Sequence, residues 1–415
     1  MADRKGKNYF FDFQIFANAI FYADICMVGR QNAGRRMKFH SFILFFLLFA
    51  LLPDLYFSLV LLRGSWWTAL LLLPTAAELV CLPLIGTGRK YMDAVRVFSY
   101  LTFIFSLPKF LFCLFHILLH HAAGADGIVA DLVPYIVGGG VSLLFSVMIF
   151  FVTTHLRVKS SELPLKGLPA GFDGVRVCHL SDFHLGSFPR SGEYIRRIVS
   201  KVEELEADLI LFSGDLVNFE TGETVPHLQA LSRIKAPLGV ISIRGNHDYL
   251  LHGPHKGESR EREAEKLLEI ERQLGWKVLL NSNTIIERNG DRIAVAGVEN
   301  ISSNPFFPKT GGDLKKALEG LPEDIFKILL SHDPTHWRSE VIPSSDIALT
   351  LSGHTHGLKV KMAGLHPSSW RLRESGGIYR EGDKVLNVSE GLGSAFAFRL
   401  GGFPKIDIFT LRRIL

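Results

Sequence analysis

The sequence predicts two fold classes in one chain: an N-terminal α-helical transmembrane bundle and a C-terminal α/β domain. Hydrophobic residues make up 47% of the 415 residues, and the apolar excess lies before residue 153. In the second half, five apolar, β-branched runs each end at a short polar motif, as buried strands do where they meet a loop. We therefore expect a membrane domain over residues 37–153, a linker over 154–173 and an α/β domain over 174–415.

Four apolar segments follow one another in the first half of the chain. A helix needs about 20 apolar residues to cross a bilayer, and buried soluble helices rarely run so long with so few charges. We interpret residues 1–36 as an N-terminal arm or a start-site artefact, because Met37 directly precedes the first segment. The four predicted spans are Phe39–Leu62, Trp66–Ile85, Phe98–Leu119 and Ile128–Val152.

Three charged residues, Asp54, Glu78 and Lys109, fall inside the predicted spans. Charges inside a membrane are costly and can mark a functional site. The interpretation we favour is that they pair between helices or lie near the end of a segment. Three consecutive glycines, Gly138 to Gly140, would allow close helix packing.

Lysine and arginine in the short loops predict the orientation in the membrane. Eight flank the spans on one side and only Arg63 lies on the other, so we expect a multi-pass protein of the inner (cell) membrane with a cytoplasmic α/β domain. The four cysteines fit a reducing compartment and show no metal-type spacing. The eight basic residues are Arg35, Arg36, Lys38, Arg89, Lys90, Arg96, Arg157 and Lys159.

The net charge of +5 is spread along the chain. This distribution suits an anionic membrane surface as a partner, and no motif for specific nucleic-acid binding is present in the sequence.

The five polar motifs carry the main functional signal. Strand ends are the usual place for a site in an α/β fold, so the motifs should gather there. Together they hold two Asp, one Asn and four His with the oxygen and imidazole donors that suit Zn, Mn or Fe. The motifs are Asp182-Phe183-His184, Gly214-Asp215-Leu216-Val217-Asn218, Gly245-Asn246-His247-Asp248, Ser331-His332-Asp333 and Gly353-His354-Thr355-His356.

This pattern resembles the calcineurin-like metallophosphoesterase superfamily from about Gly174 to the C-terminus. The tail resembles a membrane-associated branch, through segments 376–379, 388–393 and 403–406. We expect a four-layer α/β sandwich with two mixed sheets flanked by helices. Candidate helices are Ser191–Glu206, Glu258–Leu274 and Gly312–Leu318, and candidate late strands are Val385–Val388 and Ile406–Leu411.

The resemblance implies two divalent metal ions, Mn, Zn or Fe, that share Asp215 as a bridging carboxylate. Two cations about 3.5–4 Å apart can clamp a phosphoryl group and activate a water near neutral pH. His247 is by resemblance the general acid, or a donor to the phosphate. The implied ligands are Asp182, His184 and His356 for the first metal, and Asn246, His332 and His354 for the second.

Two positions depart from the family pattern. Asn218 stands where many relatives have an Asp that supports the catalytic His, and an amide cannot stabilise an imidazolium as a carboxylate can. We therefore expect His247 to be a weaker acid–base group, unless Asp248 takes over the supporting role. Leu358-Lys359 stands where Gly-Gln often follows, which affects substrate contacts rather than metal binding.

These observations predict a membrane-embedded phosphoesterase that hydrolyses phosphoester or pyrophosphate bonds of a lipid-linked or headgroup substrate, such as a UDP-diacylglucosamine. One alternative is a broad phosphodiesterase that acts on soluble nucleotides or phosphoesters. Another is a metal-binding membrane scaffold with a degenerate centre. A hydrolase triad at residues 331–333 is rejected, because adjacent residues cannot face one another as a triad requires.

Overall fold

The computed structural model describes residues 48–63, 65–86, 91–189, 191–251, 253–302, 311–356, 373–394, 399 and 402–414. The chain divides into two compact units between Val147 and Met148. The predicted N-terminal arm, the first part of the first predicted span and the Leu358-Lys359 departure lie outside the described residues.

Three described helices are long and apolar enough to cross a membrane: Trp67–Leu84, Asp93–Ala122 and Ile128–Thr154. They coincide with the last three predicted spans. A shorter apolar helix, Leu48–Leu61, covers the described part of the first predicted span, so a fourth crossing stays a prediction.

Asp54 and Lys109 form an ion pair within the helical unit, as we favoured, whereas Glu78 bonds hydroxyl groups. Lys109 donates to the Asp54 carboxylate and to the Thr75 hydroxyl, the latter at 3.1 Å. Glu78 accepts hydrogen bonds from the hydroxyls of Thr102 at 2.8 Å and Ser106 at 2.9 Å. These contacts satisfy buried polar groups that would otherwise be costly in hydrocarbon.

Gly138 lies at a close approach between two membrane helices. A Cβ at this position would stand 3.1 Å from the Pro108 carbonyl oxygen and 3.3 Å from the Phe112 Cβ. Glycine therefore permits the tight contact that the glycine run predicted.

The second unit contains two six-stranded mixed sheets. The strands are β1 Arg157–Lys166, β2 Arg176–Leu180, β3 Leu209–Phe212, β4 Val240–Ser242, β5 Lys277–Val278, β6 Ser282–Arg288, β7 Asp291–Gly297, β8 Phe326–Leu330, β9 Leu349–Ser352, β10 Gly377–Glu381, β11 Lys384–Val388 and β12 Lys405–Ile414. Sheet 1 has the strand order β1-β12-β2-β3-β4-β5, and sheet 2 has the order β10-β11-β9-β8-β7-β6. Strands β2 to β5 run parallel, as do β7, β8, β9 and β11.

Three buried apolar clusters separate four layers and confirm the predicted sandwich. Successive residues of a strand point to opposite faces of the sheet. In β2, Val177 therefore enters the cluster between the sheets, whereas Cys178 and Leu180 enter the cluster beneath the helices that cover sheet 1. A third cluster lies on the outer face of sheet 2. The described helices of this unit are Glu193–Glu204, Leu228–Leu231, Glu258–Gln273, Leu314–Ala317 and Ile342–Ser344.

The prediction of a linker over 154–173 is wrong for half of its length. Residues Arg157–Lys166 form strand β1, which pairs in parallel with β12 over ten residues. Pro164 suggested a linker, but β1 is an edge strand, where a missing N–H does not break the sheet. Leu163 and Leu165 are buried in the core between the sheets and anchor the strand there.

Candidate metal centre

The five motifs meet where the two sheets present the carboxyl ends of their parallel strands. Asp182, Asp215 and Asn246 follow β2, β3 and β4 of sheet 1, and His332 and His354 follow β8 and β9 of sheet 2. A hydrogen bond of 2.8 Å from His332 Nδ1 to the Ser213 carbonyl joins the two sets of loops. The motifs therefore meet at one place in the structure, as the sequence predicts.

Five predicted ligands adopt the left-handed backbone region, which most non-glycine residues avoid. Such positions cost roughly 1–3 kcal/mol each and persist only where surrounding contacts hold them, often at functional sites. Their φ values lie between 47° and 69°. The residues are Asp182, His184, Asp215, His354 and His356.

Two motif glycines permit loops to touch the ligands. A Cβ on Gly245 would lie 2.1 Å from Asp215 Oδ1, and a Cβ on Gly353 would lie 2.3 Å from Asp182 Oδ2. Any side chain at either position would displace a carboxylate, so the glycines are part of the centre's geometry.

The first group of possible ligands comprises Asp182, His184, Asp215 and His356, whose ligand atoms all lie within 4.8 Å of one another. His184 Nε2 lies 3.0 Å from His356 Nε2 and 3.4 Å from Asp215 Oδ2. His356 Nε2 lies 3.6 Å from Asp182 Oδ1. The arrangement brings two imidazole nitrogens and two carboxylates to one point, where they could hold a divalent ion.

The second group lies on the other side of Asp215. His332 Nε2 is 3.2 Å from Asp215 Oδ2, and His354 Nδ1 is 2.8 Å from Asn246 Oδ1. The same oxygen of Asp215 thus faces His184 of the first group and His332 of the second. This is the position that a bridging carboxylate would take.

The donor atoms fit divalent cations. Asp215 Oδ2 and His332 Nε2 are buried, and beyond their mutual contact and the approach of His184 to Asp215 Oδ2 at 3.4 Å, neither atom has a hydrogen-bond partner among the described residues. Buried polar atoms are usually satisfied, so orphaned ones call for an ion or a water. The Nδ1 of His332 donates to the Ser213 carbonyl, which leaves its Nε2 as the ligand nitrogen.

The close contacts between carboxylates and imidazoles shift the pKa values of the possible ligands. Burial would lower the pKa of His184, but Asp182 and Asp215 raise it to about 9. Burial would also lower the pKa of His332, but the Asp215 carboxylate raises it to about 10. Burial would raise the pKa of Asp215, but His332 and His247 hold it well below its usual range.

His247 and Asn218 are connected differently from what the sequence predicted. His247 Nδ1 donates to the main-chain carbonyl of Asn218 at 2.9 Å, and the His247 amide donates to Asp215 Oδ1 at 2.9 Å. The side chain of Asn218 instead accepts from His184 Nδ1 at 2.7 Å and donates to Ser187 Oγ at 2.8 Å. The substitution of Asp by Asn at this position therefore bears on a possible metal ligand, not on the support of His247.

Asp248 also has another role than the expected one. One of its oxygens accepts from the amides of Asp215 and Gly245, at 2.7 and 2.9 Å. The other accepts from Leu216 at 2.8 Å and from Val217 at 3.3 Å. The idea that Asp248 replaces the missing carboxylate beside His247 is wrong, because its carboxylate fastens the loop of Asp215 to its own.

Sequence reasoning missed a chain of buried polar groups behind Asp182. Asn387 Nδ2 donates to His179 Nδ1 at 2.9 Å, and His179 Nε2 donates to Ser213 Oγ at 2.9 Å. Ser213 Oγ then donates to Ser181 Oγ at 2.8 Å, and Ser181 donates to Asp182 Oδ2. Burial lowers the pKa of His179 to about 3, which keeps the ring neutral, as a chain with one donor and one acceptor requires. Only the position of His179 three residues before Asp182 could have hinted at this.

Comparison with known proteins agrees with this geometry. Residues 175–358 match the family model of the calcineurin-like phosphoesterases. The chain therefore contains a calcineurin-like phosphoesterase domain over these residues.

Several relatives are named as transmembrane proteins with this domain, and others are named for the domain alone. The chain is 33% identical over 205 residues to the "Transmembrane protein with metallophosphoesterase domain" of Danio rerio, a match that covers 48% of this chain and 44% of that protein. It is 29% identical over 272 residues to the "Uncharacterized metallophosphoesterase YkuE" of Bacillus subtilis (strain 168), covering 63% and 85%. The Bos taurus transmembrane protein is 31% identical, with 48% and 44% covered. The match thus spans less than half of the two vertebrate proteins.

Replacing Asn218 with Ala should weaken metal binding by about 10–100-fold, because it removes the acceptor that orients His184. The support of His247 should survive, since it comes from the main-chain carbonyl of residue 218. Competition with a chelating dye would measure Mn²⁺ or Zn²⁺ affinity. Asn283→Ala is the matched control, because the Asn283 amide bonds carbonyls of residues 317 and 319 instead. Equal affinities of the two variants would contradict the assignment.

Metal binding at pH 7.5 should release about two protons, since His184 and His332 are protonated in the metal-free protein and must present a free nitrogen to a metal. Because the raised pKa values are about 9 for His184 and about 10 for His332, protons compete with metal below about pH 10, so affinity should rise with pH up to that point. Calorimetric titrations in buffers of different ionisation enthalpy would count the protons. A binding heat that is independent of the buffer would refute this expectation.

Proposed function

We propose that this chain is a membrane-embedded phosphoesterase with two divalent metal ions. The first ion would be held by Asp182, His184 and His356, the second by Asn246, His332 and His354, and both would share Asp215. The observation that carries the proposal is the Oδ2 atom of Asp215, which faces a histidine of each group at 3.4 and 3.2 Å.

Bound divalent ions would supply positive charge for a phosphoryl group and lower the pKa of water. The protein's own residues supply orientation and proton transfer. Because His247 Nδ1 is engaged by the carbonyl of Asn218, Nε2 is the ring nitrogen that exchanges a proton with the leaving oxygen. The His247 amide holds Asp215 Oδ1, which leaves Oδ2 for the metals.

The substrate we propose is a phosphoester or pyrophosphate of a membrane lipid, of the UDP-diacylglucosamine type. Three candidate membrane helices in the same chain support a lipid-linked phosphate, because they keep the enzyme at the bilayer. The alternative is a broad phosphodiesterase that acts on soluble nucleotides. The third hypothesis, a metal-binding membrane scaffold with a degenerate centre, was supported mainly by Asn218. That support is weakened, because the side chain of Asn218 bonds His184, a proposed metal ligand.

Asp215→Asn should abolish turnover of a chromogenic phosphodiester by the purified full chain with Mn²⁺, because a neutral amide cannot bridge two cations.

His247→Ala should lower turnover by about 10²–10⁴-fold with near-normal metal content, since the main-chain amide of residue 247 still holds Asp215. Assays should include a substrate with a poor leaving group, for which proton donation matters most. Full activity of His247→Ala on that substrate would remove the acid–base role.

The substrate class can be tested by comparing kcat/KM for a UDP-diacylglucosamine with that for its deacylated, soluble counterpart. A lipid-directed enzyme should prefer the acylated compound, because only that compound is concentrated in the membrane. Equal values would favour the broad phosphodiesterase, although the metal centre would stand.

We also propose that the phosphoesterase domain faces the cytoplasm, from the excess of basic residues on that side of the spans. A reporter that fluoresces only in the cytoplasm, fused after Leu415, should be bright. A dark fusion with an active periplasmic reporter at the same site would reverse the orientation and exclude substrates that exist only on the inner face.

A further inference from the structure

Arg399 is a buried arginine whose five N–H donors all bond main-chain carbonyls. Its side chain is only 2% exposed. An arginine has five donors in a rigid, planar fork and no acceptor, so this set of contacts uses its whole capacity. The carbonyls belong to Gly402 at 2.8 Å from Nε, to Gly391 at 3.2 Å and Gly393 from Nη1, and to His356 at 3.1 Å and Glu390 at 2.6 Å from Nη2.

The bonded segments flank the first group of ligands. One bond goes to the carbonyl of His356 itself. Three others fix the loop of residues 390–393, and this loop packs on Asp182: the Gly393 amide donates to the Asp182 carbonyl at 2.7 Å. A Cβ on Gly391 would lie 2.7 Å from the Asp182 Cβ, so loop and ligand are in direct contact. The guanidinium thus connects the backbones that carry Asp182 and His356.

The side chains of the second group are oriented by other contacts, although the His354 amide donates to the Asp182 carboxylate at 3.2 Å. His332 is oriented by the Ser213 carbonyl, and His354 Nδ1 lies against Asn246 Oδ1. Loss of the guanidinium should therefore act on one side of Asp215 more than on the other.

We propose that Arg399 is a positioning residue that sets the geometry of the first metal position through the backbones of Asp182 and His356. The inference rests on the proposed two-metal function. A lysine could keep the charge but not the fork, because its three donors leave from a single nitrogen and cannot span both backbones. The amide of Arg399 also donates to Thr153 Oγ1 at 3.0 Å, which fixes the main chain from which the guanidinium extends.

The test compares Arg399→Met and Arg399→Lys with the wild type and with Lys384→Met, all as full chains in detergent. Lys384 is a matched control, since its ammonium bonds the carbonyls of Val341, Ile342 and Ser345, none of which belongs to the five ligand motifs. Metal-free proteins would be titrated with Mn²⁺, and bound metal per chain counted by elemental analysis. Thermal unfolding of the metal-free proteins would report stability separately from metal binding.

We expect the wild type and Lys384→Met to bind two Mn²⁺, and Arg399→Met to bind one tightly and the other at least 10–100-fold more weakly. The remaining metal should disappear when His332→Ala is added, which identifies it as the second position. Arg399→Lys should also lose affinity at the first position, and this variant decides the matter if Arg399→Met fails to fold.

Two tight metals in Arg399→Lys, or equal weakening of both positions, would overturn the inference and leave Arg399 as a purely structural residue. A wild type that binds fewer than two metals would instead overturn the two-metal function on which the inference rests. The two failures are therefore distinguishable in one titration series.

Discussion

The burial of the Asp215 carboxylate is the constraint on which the rest of the centre depends. An isolated buried carboxylate costs far more than a domain's net stability can supply, so the fold must surround it with positive charge and donors. His184 and His332 approach one oxygen, and the His247 amide bonds the other. Each of these histidines comes from a different loop, and therefore the carboxylate draws strand ends of both sheets together.

Buried charged side chains, rather than regular secondary structure, fasten the loops of this centre. Asp248 accepts from four main-chain amides. Glu223 accepts from the amides of Gly186 and Asn218 and of two further residues, and Arg399 donates to five carbonyls. Burial raises the pKa of Glu223 to about 7, because the desolvation of its carboxylate outweighs the hydrogen bonds from these amides. The loops thus gain rigidity from charge–dipole contacts, and this allows five ligands to keep unfavourable left-handed backbones.

Much of the architecture could be predicted, because local patterns determine it. Apolar runs indicated the strands before each motif, and the glycine run from Gly138 to Gly140 indicated a close approach between helices. Strand β1 escaped prediction because Pro164 and the lysines of an edge strand look like a linker. The contacts of Asn218 and Asp248 could not be predicted from the motifs, since proximity in sequence does not reveal which way a side chain turns. Arg399 was missed because its partners are carbonyls, which every residue possesses and which leave no trace in the sequence.

The pairing of β1 with β12 has a consequence for biosynthesis. Strand β12 lies between β1 and β2, so β1 has no partner in sheet 1, and the β2 edge stays open, until the last strand of the domain leaves the ribosome. Unpaired edges are templates for pairing with other chains. The apolar helices emerge earlier and can insert into a membrane before the domain is complete. A nascent chain of this protein would then be attached to the bilayer while sheet 1 is still incomplete. Attachment to the membrane would lower the frequency of its collisions with other incompletely folded chains.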